Sequence, residues 1–317
     1  MHTVMGIENF LNKNRPVYLA LGNFDGVHKG HQSLISQVVQ KATNNGGQAV
    51  AFIFEPHPAQ VLTPERAPRL LNTPHRKAKL LEKMGLDVLI YNSFTREIAA
   101  WSPDQFVEKI LIHELQIREV FVGFNYTFGH RGAGTPELLQ KMGENKGFGV
   151  NIIDPVKYKG ETISSSLVRK SLEKGDITTA CQLLGYYPVL EGVVVEGEHR
   201  GSAIGFPTAN IGVETIYNVP GKGVYAAQAG VGGKNYHCVV NIGSKPTFHE
   251  EYPLSIEAHL IDFTGDIYGQ EICLSFMEKL RDEQRFGSLQ ELVAQISLDR
   301  DRALEITRAY RGDSDSV

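Results

Sequence analysis

Val17-Tyr18-Leu19-Ala20-Leu21-Gly22-Asn23-Phe24-Asp25-Gly26-Val27-His28-Lys29-Gly30-His31 passes from a short apolar run, through a glycine-bearing turn, into an amphipathic stretch over Gln32–Lys41. A strand that feeds a helix through such a turn is the start of a βα unit. The free backbone N–H groups at the helix N-terminus and the positive end of its dipole make the turn a place where a phosphate can sit. His28 and His31, three residues apart, face one side of the helix start and can donate hydrogen bonds to a phosphoryl group as charge develops. The spacing fits neither GxxxxGK[ST] nor GxGxxG, which argues against a P-loop or a dinucleotide fingerprint. Zinc is a weaker alternative, because a third ligand is not evident.

Outward from this unit the same rhythm continues. Gln48–Phe54, Asp87–Tyr91, Glu119–Gly123 and Val150–Ile153 read as further strands, with helices between them, predicting a mostly parallel sheet. Ser102-Pro103-Asp104-Gln105 and Thr135-Pro136-Glu137 combine an N-cap hydroxyl with proline at the first helical position. The segment Glu55–Pro74 carries five prolines and is too long for an idle connection, so it is either a functional loop or a mobile one.

After Gly185 the texture changes. Val189–Glu196, Val224–Val231, Lys234–Ile242, Ser255–Phe263 and Gln270–Phe276 are rich in β-branched and aromatic residues and are separated by turn residues, which predicts a small barrel or sandwich. Two tandem helices, Ser164–Lys174 and Asp176–Leu184, precede it. Ser288-Leu289-Gln290-Glu291 is a capping box opening a final helix to about Tyr310. The reading is therefore a domain over 1–184, a second over 185–312, and a flexible tail over 313–317.

Composition narrows the function. The 317 residues include 32 glycines and are 42% hydrophobic, and Lys+Arg 32 against Asp+Glu 36 leaves a formal charge of −4. Such a balance argues against a nucleic-acid partner. Cys181, Cys238 and Cys273 lack CxxC spacing and read as small hydrophobes. No apolar stretch reaches the roughly 18 residues of a membrane span and the N-terminus lacks a signal-peptide pattern, so a cytoplasmic protein without a membrane partner is expected.

Four segments in order carry a resemblance. Gly22–His31 is similar to the HxGH signature of the nucleotidyltransferase superfamily, in the form found in bacterial bifunctional riboflavin kinase/FAD synthetases. Phe54-Glu55-Pro56-His57-Pro58 resembles the family's FxPHP, Gly123-Phe124-Asn125-Tyr126-Thr127-Phe128-Gly129 its GxDFxFG loop, and Ile163-Ser164-Ser165-Ser166-Leu167-Val168-Arg169 its ISSTxIR helix start. The last of these places hydroxyls and free amides at a helix N-terminus with Arg169 one turn inside, a good pyrophosphate clamp.

In the β-rich half, Gly205-Phe206-Pro207-Thr208-Ala209-Asn210 resembles the riboflavin kinase PTAN signature. The likeness continues through Gly223-Val224-Tyr225, Asn241–Phe248, Ile256-Glu257-Ala258-His259, Tyr268-Gly269 and Leu280–Phe286. Thr208 and Asn210 alternate onto one side of an extended segment and offer the hard oxygens Mg²⁺ accepts beside nucleotide phosphates. If Ile256, Ala258 and Leu260 fill a barrel, Glu257, His259 and Ile261 point outward, toward whatever covers that wall.

The resemblance implies an α/β Rossmann-like nucleotidyltransferase domain with a parallel sheet, followed by a small antiparallel riboflavin kinase-like β-barrel with a C-terminal helix. It implies ATP as co-substrate, Mg²⁺, and riboflavin, FMN and FAD as substrates and products, in a monomer or transient oligomer. By the same resemblance Gly22, Phe24, Asp25, Gly30, His57, Asn125, Ser164, Ser165 and Arg169 bind nucleotide and phosphate in the first domain, with His28 and His31 catalytic. Gly197, Gly205, Phe206, Pro207, Thr208 and Asn210 bind nucleotide in the second, Thr208 and Asn210 hold the metal, Arg281 and Phe286 bind flavin, and Glu257 is the general base. The family often reads GRxLGFPTAN, whereas Ser202 stands here at the Arg position and Arg200 lies two residues earlier. That departure motivates one alternative, a monofunctional FAD synthetase whose kinase half binds flavin but turns over poorly; a second, a flavin-binding regulator that does not catalyse, predicts a lost HxxH or a lost Glu257, and both are present.

Overall fold

The computed structural model describes the chain apart from residues 13, 198–200, 202–203, 245–253 and 310–317. Ser202, Arg200, the segment 245–248 and the tail 313–317 thus lie outside the described residues. By contacts the chain divides into two compact units, one of Met1–Pro68 with Thr73–Ser164, the other of Arg69–Asn72 with the chain from Ser165 onward.

The first unit is built on strands β1 (His2–Met5), β2 (Val17–Leu21), β3 (Gln48–Phe54), β4 (Val88–Asn92), β5 (Ile117–Gly123) and β6 (Gly149–Ile153), with a two-strand hairpin β7 (Lys157–Tyr158) and β8 (Glu161–Thr162) beyond. The six form one parallel sheet in the order β1-β4-β3-β2-β5-β6. Strand alternation explains why both faces are covered. Val17, Leu19 and Leu21 of β2 pack into one apolar cluster with Val107, Ile110 and Leu111, while Tyr18 and Ala20 pack into the other with Leu34, Ile35 and Val38. The latter three lie on helix α1 (Lys29–Asn44).

The Ser102 capping box forms and opens a short helix, Pro103–Phe106, that continues as wider π-type turns over Val107–Glu114. Thr73 caps α2 (Pro74–Lys83) and Thr135 caps α3 (Pro136–Lys146). The chain runs outward from β2 through β3 to β4, then crosses back to add β5 on the other side of β2. The crevice at the carboxyl ends of β2 and β5 is therefore the sheet's topological switch point, where open α/β sheets bind ligands.

The second unit holds helices α4 (Ser165–Glu173) and α5 (Ile177–Leu184) and a closed antiparallel barrel. Its strands are β9 (Val189–Val195), β10 (Ala209–Gly212), β11 (Gly223–Val231), β12 (Lys234–Ser244), β13 (Leu254–Leu260) and β14 (Glu271–Arg281), in the order β10-β13-β12-β11-β14-β9. Tyr225 and Phe276 fill the interior edge to face, their centroids 5.5 Å apart. Helix α6 (Leu289–Ala309) lies on the outer wall, where Ala303 packs with Val224, Ala226, Val239 and Ile261.

The α/β class and the barrel with its final helix are as the sequence predicts. Three differences stand out. Strand β1 has one buried residue, Val4, and so lacked an apolar run to read. Strand β14 runs five residues past the predicted end, to Arg281. The proline-rich segment is neither an open loop nor uniform: it contains a short helix over Pro58–Leu62, and farther along Leu70 exchanges backbone hydrogen bonds with Ile216 (2.7 Å) and Asn218 (2.8 Å) inside the second unit.

Candidate active sites

In the first unit the turn after β2 is organised by its histidines. His28 caps α1: its Nδ1 accepts from the His31 backbone N–H at 3.3 Å. The neutral His28 ring therefore carries its proton on Nε2. The two imidazoles stack, with centroids 3.6 Å apart and planes 16° apart, and Phe24 meets His31 edge-on at 5.3 Å. Gly30 leaves room beside this stack, because a Cβ there would press on His28 Cε1 at 3.1 Å. The same position is 3.7 Å from the Ile163 carbonyl, so the strand leading to Ser164 passes the histidine turn.

His31 is held well below the ordinary histidine value, first by burial and then by the charges of His28 and Lys77. Its Nδ1 is buried without a hydrogen-bond partner. At neutral pH His31 is thus an uncharged hydrogen-bonding group.

Behind the turn lies a charge cluster that the sequence did not announce. Lys77 of α2 and Asp25 are both about 95% buried, and Glu55 is half-buried. Burial lowers the Lys77 ammonium, opposed by Asp25 and Glu55, and burial raises the Glu55 carboxyl, opposed by Lys77. Asp25, expected at the nucleotide, sits among these groups. Asn23 is a second addition: its side-chain nitrogen lies 3.1 Å from His57 Nε2. His57 Nδ1 accepts from the Ala59 N–H at 3.1 Å. The Asn23–His57 contact ties the turn after β2 to the loop after β3.

Asn125 is exposed in the turn that follows β5, at the same carboxyl edge of the sheet. Ser164 ends the first unit. Ser165 and Arg169 lie in α4 of the second unit, where Arg169 Nε donates to the Arg69 carbonyl at 2.6 Å.

In the barrel, register brings the polar residues together. Glu257 on β13 pairs with Asn210 on β10 and, on its other side, with Asn241 on β12; Asn241 pairs in turn with Val224 on β11. Residues in such a row share a face, and Val224 packs beneath α6, so the row is on the outer wall. Ile256, Ala258 and Leu260 are buried and Glu257 is half-buried, as the alternation predicts.

Ser255 donates to Glu257 Oε1 at 3.0 Å. The Asn210 amide lies directly against Gly197, in space that any Cβ at 197 would fill. Thr208 precedes Asn210 by two residues, just before β10 begins. Gly205 adopts φ +85° before Phe206 and Pro207. Arg281 is engaged by α6: its guanidinium contacts both oxygens of buried Asp299 at 2.8–3.1 Å, and it lies over Phe286 with its central carbon 5.7 Å from the ring centroid. Asn241, Ser255 and Asp299 were not singled out from sequence, since their partners are set by register and by helix packing.

The donor set suits Mg²⁺. A hydroxyl and an amide oxygen, with a carboxylate opposite, are hard ligands that leave most coordination sites to water and substrate phosphates. Among the described residues no cluster of three or more His, Cys, Asp or Glu could hold a metal alone. The three cysteines are unbridged, and burial pushes the Cys181 thiol up to about 12.

A switch-point turn with two histidines precedes a barrel wall bearing a carboxylate between two amides, and with the family matches that follow this makes the chain a two-domain transferase. The FAD synthetase family pattern matches residues 11–167 and the riboflavin kinase family pattern residues 184–307. Bifunctional riboflavin kinase/FMN adenylyltransferases are similar along most of the chain. That of Bacillus subtilis (strain 168) is 38% identical over 90% of this chain and 91% of its own length. Those of Pseudomonas fluorescens and Escherichia coli (strain K12) are 35% identical, over 98% and 94% of this chain and 100% and 96% of theirs. A crystal structure described as a macrolide-efflux protein from Streptococcus pneumoniae has the same fold, with a TM-score of 0.86 at 28% identity over 98% of this chain and 100% of that one. The chain belongs to the bifunctional riboflavin kinase/FMN adenylyltransferase family. Among the described residues no helix is long and apolar enough to cross a membrane.

Proposed function

We propose that the two activities occupy separate units, with the domain boundary near Gly185. The barrel phosphorylates riboflavin to FMN, and the parallel-sheet domain converts FMN and ATP to FAD and pyrophosphate. The observation that supports this is that His28, His31, His57 and Asn125 lie in one compact unit and Thr208, Asn210 and Glu257 in the other, each with its own core, while Ser165 and Arg169 of the first residue set fall in the second unit.

In the barrel, Glu257 takes the proton of the riboflavin 5′-hydroxyl as that oxygen attacks the γ-phosphorus of ATP and ADP leaves. Ser255 keeps the carboxylate turned toward this proton. Thr208 and Asn210 would hold Mg²⁺, which when bound offsets phosphate charge. Gly197, Gly205, Phe206 and Pro207 shape the nucleotide side of this wall. Arg281, fixed by Asp299, and Phe286 present a planar cation and a ring to the flavin.

In the first domain the FMN phosphate oxygen attacks the α-phosphorus of ATP and pyrophosphate leaves. No enzyme nucleophile is required, so positioning and charge stabilisation carry the rate. His28 and neutral His31 donate to the phosphoryl oxygens. Gly22, Phe24 and Gly30 shape the turn, Asp25 holds it through the buried charges, and His57 and Asn125 line the nucleotide. Ser164, Ser165 and Arg169 take the pyrophosphate. The protein works in the cytoplasm on small molecules, as a monomer or transient oligomer, without nucleic acid or membrane.

Incubation with riboflavin, ATP and Mg²⁺, with FMN and FAD resolved by chromatography, tests the reading. Both products are expected. FAD formed from FMN but nothing formed from riboflavin would leave a synthetase with an idle kinase half, the outcome that Ser202 in place of the family's Arg motivates.

A further inference from the structure

The ladder between β10 and β13 is two pairs long, Ala209 with Ala258 and Asn210 with Glu257. Continued by one pair it would set Thr208 against His259, but Pro207 has no N–H to donate and the backbone pairing stops. A side chain takes over at that point. His259 Nδ1 lies 2.8 Å from the Pro207 carbonyl, and its ring meets Phe206 edge to face, with centroids 5.5 Å apart and planes 72° apart. A carbonyl only accepts, so Nδ1 carries the proton and donates.

We propose that His259 is a positioning residue for phosphoryl transfer, clamping the turn 206–208 to β13 so that Thr208 and Asn210 stay on the Glu257 side of the barrel wall. The inference rests on the assignment of Thr208 and Asn210 to the nucleotide and its metal. Glu257 and His259 alternate onto one strand face, so the strand that offers the base also fixes the segment that meets the phosphates. Without the clamp, β10 keeps its two ladder pairs and the β9 pairing, and the turn before it keeps the Phe206 N–H bond to the Gly201 carbonyl but loses this hydrogen bond to β13. The cost falls on nucleotide binding more than on the proton transfer.

The test compares the full-length protein with His259→Ala and His259→Asn, the latter placing an amide N–H near the position of Nδ1. In FMN formation, His259→Ala is expected to raise the KM for Mg²⁺-bound ATP about tenfold with a smaller change in kcat, the scale of one lost hydrogen bond. His259→Asn should recover most of that loss. FAD formation from FMN should stay at the wild-type rate in both. Hydrogen exchange gives a readout independent of turnover: backbone amides of residues 208–210 exchange faster in His259→Ala and are protected again in His259→Asn. Wild-type KM together with wild-type protection in His259→Ala would overturn the proposal, as would equal impairment of the two variants. If the wild-type protein makes no FMN, the kinase reading fails, and the exchange measurement still decides whether the clamp exists.

Discussion

In the parallel-sheet unit the proposed site residues lie just beyond the carboxyl edge of neighbouring strands: His28 and His31 at the start of the helix after β2, His57 after β3, Asn125 after β5. In the barrel they come from the strands themselves, where Asn210, Glu257 and Asn241 stand side by side because three strands pair in one register. The loop site is fixed from behind by local caps and a buried charge cluster. The barrel site is fixed by ladder hydrogen bonds, one seryl hydroxyl and the helix that covers the wall. A loop site can lose one residue and keep its frame, whereas a one-residue slip in the barrel would turn Glu257 into the core.

Four changes would break or sharpen this contrast. Glu257→Gln, which keeps shape and removes the base, should lower FMN formation by roughly 10²–10⁴-fold, the range for general bases, and leave FAD formation from FMN intact. His28→Ala should do the converse, cutting FAD formation about 10²–10³-fold, as for a lost charge-stabilising donor, while FMN still accumulates from riboflavin. Both are read by chromatography of the flavins.

Gly197→Ala should reduce kinase activity roughly tenfold, because its Cβ would displace the Asn210 amide. The adenylyl transfer rate on the same preparation checks that the loss is local.

The smallest effect concerns pH. His31 has its pKa lowered in the folded protein, so between that value and the ordinary one of about 6.5 the unfolded chain binds more protons. Stability contributed by neutral His31 is therefore complete above pH 6.5 and is lost as pH falls through the interval below it. Thermal unfolding at pH 7.5 and pH 5.5 should show a larger drop for wild type than for His31→Gln; equal drops would place the acid sensitivity elsewhere.

These two modes of construction also explain what could be read from the chain. The local shape of the histidine turn was legible, because a strand, a glycine-bearing turn and a helix start are contiguous in sequence and His28, Gly30 and His31 fall within four residues. What escaped was tertiary. Lys77 lies in His75-Arg76-Lys77-Ala78-Lys79, where no local pattern marks that α2 packs with the Lys77 side chain buried. In the barrel the alternation of Ile256 to Leu260 gave the outward direction of Glu257. Neither its neighbours Asn241 and Ser255 nor the Asp299 grip on Arg281 could follow from local pattern, since strand register and the seating of α6 decide them. Strand β10 is four residues long and held by few pairs, which is why it read only as an extended segment.

The central claim is that the two sites are chemically independent, and in-trans complementation tests it most directly. His28→Ala and Glu257→Gln, each alone with riboflavin, ATP and Mg²⁺, should make FAD at no more than about a hundredth of the wild-type rate, the first accumulating FMN and the second leaving riboflavin unconverted. An equimolar mixture should make FAD, with FMN released by one variant and adenylylated by the other. A mixture that makes FAD no faster than either variant alone, or a single substitution that abolishes both reactions in a folded protein, would contradict the account.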